Sequence, residues 1–120
     1  MKQRMRTKPA VVIHSVNARC LDLGEFSGFF GRRKKNKLFE STMMEISEKV
    51  MDLFDDVETF SFTMTEEGFH FLIWSGRDRN WVARVMAYIQ SRFSEMVNRS
   101  LGRTGPVWDG TWSCDVIDEA

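Results

Sequence analysis

The chain has 120 residues, 17 acidic and 17 basic side chains, and an apolar fraction of 42% that includes ten Phe and four Trp. That is the length of one domain, with too much core material for a wholly disordered chain. Two cysteines, Cys20 and Cys114, make no disulfide framework, and no apolar run approaches the roughly 20 residues of a spanning helix. These features predict a cytoplasmic protein with reduced thiols and no membrane partner, and the basic N-terminus lacks the apolar stretch of a signal peptide.

The neutral total hides an asymmetry. Residues 1–38 hold ten Lys or Arg against two acids, whereas residues 39–78 hold two against ten. Residues 1–9 read as a flexible basic tail, and residues 10–120 as a single α/β domain. Ala10–Val16 reads as a strand, with Val12, His14 and Val16 on one face and Val11, Ile13 and Ser15 on the other. Asn17–Lys37, with Gly24, Gly28 and Gly31, reads as a loop.

A helix is expected from Thr42 to Phe54. Thr42 and Glu45 have capping-box spacing, and Met43, Ile46, Val50, Leu53 and Phe54 form an apolar stripe. Glu58–Met64 alternates Phe60, Phe62 and Met64 with Thr59, Ser61 and Thr63, the mark of a half-buried strand. Thr65–Gly68 is a turn in which Gly68 can supply a positive φ. Phe69–Trp74 is apolar on both faces and suits a central strand. A second helix, capped at Asn80, runs to Asn98 with Val82, Val85, Ile89, Phe93, Met96 and Val97 inward. Gly102, Gly105 and Pro106 break the pattern, and Trp112–Ile117 is the last strand. The order β-α-β-β-α-β closes most simply as an α+β, ferredoxin-like sandwich, an antiparallel sheet with two helices on one face. The other face is left for a ligand, a partner or a second subunit.

Candidate chemistry is sparse. His70 with Glu67 or Glu66 has the donor types for a divalent metal, and His14 meets His70 if their strands are neighbours. Arg32, Arg33, Lys34, Lys35 and Lys37 form a basic run suited to a phosphate backbone. Arg103, between glycines and ahead of a Trp, has a form found both in phosphate-gripping loops and in ordinary turns. Tyr88, the one tyrosine, falls within the second helix.

HSVNAR (His14–Arg19) and RTGPVWDGTW (Arg103–Trp112) together resemble segments of the IS200-like transposases, in particular the REP-associated tyrosine transposases. The resemblance implies a ferredoxin-like nuclease that acts on single-stranded hairpin DNA. Two histidines flanking one apolar residue would hold a divalent ion such as magnesium or manganese, and a tyrosine on a later helix would attack the phosphate. It places His14, Asn17, Arg19, Arg103 and Trp108 at DNA, beside the basic run. Gly68 stands where the first metal histidine belongs, with His70 at the second, and Tyr88 comes too early to be the nucleophile. The expectation is a transposase-like domain that binds single-stranded or hairpin DNA without cutting it. The alternatives are a protein-interaction or homodimerisation domain and a residual metal-dependent endonuclease. A base-stacking, RNA-binding sheet is a further idea, carried by Trp74.

Overall fold

A computed structural model of the chain describes residues 12–21, 23–75 and 79–119, with side chains described at 12–21, 23, 36–75 and 80–117. Its elements are β1 (Val12–Arg19), α1 (Gly24–Leu53), β2 (Val57–Met64), β3 (Gly68–Ser75), α2 (Arg79–Leu101) and β4 (Ser113–Glu119). They form one antiparallel sheet of order β2-β3-β1-β4, the ferredoxin-like arrangement expected from the element order.

Alternation sets the two faces of the sheet. Val12, His14, Val16 and Ala18 of β1 are buried, as are Phe69, Phe71, Ile73 and Ser75 of β3. These side chains meet the helices, so burying them removes apolar surface from water at about 25 cal/mol per Å². From α1 the core takes Phe39, Met43, Ile46 and Val50, spaced as one helical stripe. From α2 it takes Val82, Val85, Met86, Ile89, Phe93 and Val97. Among the described residues no helix is long and apolar enough to cross a membrane.

Several expectations are corrected. The segment read as a loop is helical from Gly24 onward, so Thr42 lies inside α1, buried, and caps nothing. Residues 32–53 contain no proline and are rich in Arg, Lys, Glu, Met and Leu, all good helix formers, which carries the helix upstream. At 1.5 Å per residue α1 is about 45 Å long, against about 26 Å for an eight-residue strand, so it outreaches the sheet. Leu53, expected in the stripe, is 55% exposed at the helix end. α2 begins at Arg79, one residue before the expected cap, and continues to Leu101. β1 runs on through Arg19, and β4 through Glu119. The basic tail, residues 1–9, lies outside the described residues.

Beyond α2 the chain turns at Gly102, whose φ of 62° is a left-handed conformation that favours glycine at a helix end. The following segment is sewn to the end of β1. Leu21 donates to the Val107 carbonyl at 2.7 Å, Asp109 donates to the Arg19 carbonyl at 2.7 Å, and Cys20 bridges Trp108. This loop therefore closes one end of the sandwich as part of the framework.

Candidate functional site

The face of the sheet turned away from the helices is built by register. Asn17 pairs with His70 and with Ser113; Ser15 pairs with Leu72 and Asp115; Ile13 pairs with Trp74. On β2, Thr63, Ser61 and Thr59 stand opposite His70, Leu72 and Trp74. The central strand thus presents His70, Leu72 and Trp74, all partly exposed, with hydroxyl side chains on the flank formed by β2. Ser15 Oγ and His70 Nε2 lie 2.8 Å apart, a cross-strand hydrogen bond that orients the imidazole. The expected residues Asn17 and His70 do meet on this face.

The other expected residues disperse. His14 pairs with Ile73, points to the helix side and is fully buried, so it neither meets His70 nor reaches the open face. One residue along a strand decides this, because successive side chains alternate faces. Trp108 is partly buried and packs against the core. Its ring centroid lies 5.0 Å from Phe93 and 6.1 Å from Phe69, and its indole N–H donates to the Gln90 carbonyl at 2.9 Å.

Arg103 is turned back on its own loop. Its guanidinium donates to Asn98 Oδ1 at 2.6 Å and to the Pro106 carbonyl at 3.2 Å, while Asn98 Nδ2 donates to the Gly105 carbonyl at 2.9 Å. These bonds cross-brace the end of α2 and the loop. Arg103→Ala is therefore expected to cost about 1–2 kcal/mol of stability, read as a shift in the urea midpoint at unchanged slope.

Arg19 lies at the end of the sheet between two carboxylates, 3.3 Å from Glu67 and 3.7 Å from Asp109. All three side chains are about half exposed or more, so the pairs contribute little to stability. Arg32, Arg33, Lys34 and Lys35 belong to the backbone of α1, but their side chains lie outside the described residues; Lys37 is exposed.

The metal centre implied by the resemblance does not fit these residues. Gly68 opposes Arg19 across the two central strands, and a Cβ built on it would meet the Ala18 carbonyl oxygen at 2.1 Å. No histidine fits at that position without moving a strand. Its φ is not positive, so glycine is required there by close approach rather than by the turn expected from sequence. Glu67 is engaged with Arg19, and among the described residues no group of three His, Cys, Asp or Glu could hold a metal ion. Tyr88 lies in the helical layer, its ring 5.9 Å from Phe54, on the far side of the sheet from His70.

Trp74, Ser15, Leu72 and Asp115 belong to no motif that marks them as a site in the sequence. The signal for them was the polar alternation of β1 and β2, which becomes a surface only once the register is known. No protein-family model matches the chain, and no curated protein matches its sequence.

Proposed function

We propose that this chain is a single-stranded DNA-binding domain that holds its ligand on the open sheet face and does not cleave it. One observation carries the reading: Trp74 and His70 on the central strand offer two flat rings among neutral hydrogen-bonding side chains. Rings on a sheet stack unpaired bases, and hydroxyl and amide groups meet the base edges. Arg19, at the end of β1, is the one Lys or Arg of the sheet among the described residues, and the other described basic residues of the first third belong to α1 on the opposite face, so binding rests on stacking and hydrogen bonding more than on a charged groove. The close approach at Gly68 and the position of Tyr88 support binding without strand transfer. The transposase-like resemblance favours single-stranded or hairpin DNA as the ligand.

The test is fluorescence anisotropy with a labelled DNA hairpin and an unstructured strand of equal length, titrated at several salt concentrations. Binding should weaken as salt rises, and Trp74→Leu should raise Kd about tenfold, since base stacking contributes about 1–3 kcal/mol per base. Tighter binding to RNA of the same sequence would change the ligand. The absence of binding at low salt would overturn the proposal. The face would then belong to a protein partner or a second copy, read by sedimentation.

A further inference from the structure

Resting on that reading, we infer that the DNA strand follows a track over β3 and β2, with its phosphates on the β2 flank and away from β4. Midway along the open face its two flanks differ in charge. Across one row of the sheet stand Ser61 (β2), Leu72 (β3), Ser15 (β1) and Asp115 (β4), each directly opposite the next. Ser61 and Asp115, the ends of that row, are both exposed. The β2 flank is Thr59, Ser61 and Thr63, and the exposed acids of that hairpin lie at its two ends, Glu58 in the bulge at its start and Glu66 and Glu67 in the turn to β3. A phosphate on the β4 flank would meet the carboxylate of Asp115; on the β2 flank it meets hydroxyl donors.

The rings set the direction of the track. His70 and Trp74 are four residues apart on one strand, about 13 Å. Stacked neighbours along a nucleic-acid strand are about 3.4 Å apart, so the two rings cannot take adjacent stacked bases. A drawn-out strand along β3 places two bases on the rings and one over Leu72, which fits the two or three bases that such sheets hold. Neighbouring strands are about 4.8 Å apart. A track over β3 is therefore one strand from Ser61 and two from Asp115. The nearer position must dominate, because at 0.1 M salt charge effects fade over about 10 Å.

The experiment moves one negative charge between the ends of the row in the full chain, using a labelled ten-residue oligothymidylate at low and high salt. Both positions are exposed, and circular dichroism with thermal melting checks that the variants fold. Ser61→Asp should weaken binding about tenfold, and Asp115→Asn should strengthen it about twofold, with both effects shrinking as salt rises. A large gain from Asp115→Asn with little loss from Ser61→Asp would put the track over β1 and β4, and equal effects would centre it. Either result overturns the inference while leaving DNA binding intact. No binding by the unsubstituted chain removes the reading beneath it and the inference with it.

Discussion

Replacing Gly68 with alanine is expected to cost about 3 kcal/mol or more, a large share of the roughly 5–15 kcal/mol that holds a domain of this size together. The added Cβ would lie 2.1 Å from the Ala18 oxygen, 2.9 Å from Arg19 Cα and 3.0 Å from the Ala18 carbonyl carbon. All three are backbone atoms of β1, so no side chain can swing aside. Relief requires β1 and β3 to part where Arg19 faces Gly68, or the turn bonds Thr65 N to Gly68 O (2.9 Å) and Gly68 N to Thr65 Oγ1 (2.9 Å) to break. Overpacking in a close-fitted interior usually costs about 1–3 kcal/mol, and a clash between two central strands belongs at the top of that range or above it. Urea unfolding followed by far-UV circular dichroism measures the loss. A midpoint within about 0.5 kcal/mol of the parent would show that the strands have room to separate and would reopen this position to a larger side chain. For the same reason Gly68→His should lower stability at least as much and should gain no affinity for divalent manganese in titration calorimetry.

The parts of the fold that follow a strict period were legible. Phe60, Phe62 and Met64 alternate with Thr and Ser, and their alternation is the observed division between the faces of β2. The stripe of α2 was equally plain, because Val82, Val85, Ile89, Phe93 and Val97 recur at helical spacing and all are buried. The first half of α1 was not legible. Phe26, Phe29 and Phe30 have helical spacing, but they stand among three glycines, which are poor helix formers, and residues 31–37 hold no apolar side chain to continue the stripe. The site was harder for a different reason. Residue type does not name a partner: Arg103 between glycines has the look of a phosphate grip, yet Asn98, about one turn back on α2, takes its guanidinium. Face assignment on β1 was ambiguous as well, since each face of its expected span holds two or more aliphatic residues. The continuation to buried Ala18 and exposed Arg19 decides which face His14 and Asn17 take.

Phe93→Ala should be among the most damaging of the simple truncations, costing about 3–5 kcal/mol. Phe93 is fully buried and joins three parts of the molecule. Its ring lies 5.1 Å from Phe39 of α1, 5.4 Å from Phe69 of β3 and 5.0 Å from Trp108 of the loop that closes the sheet end. Two of these are edge-on contacts, at 77° and 79°, in which ring edge meets ring face. Truncation removes the transferred ring and leaves a cavity among aromatics too rigid to collapse into it. Because Trp108 packs on the lost ring, its environment should change with the stability. The measurement is guanidinium unfolding followed in parallel by tryptophan emission and far-UV circular dichroism. Coincident transitions shifted to lower denaturant, with altered native-state emission, are the expected result. A loss below about 1 kcal/mol would mean that Phe39 and Trp108 close over the gap, and that this aromatic cluster is more pliable than its packing implies. Phe93→Leu, which keeps most of the apolar volume, should restore more than half of the loss and so separates the cavity from the aromatic contacts.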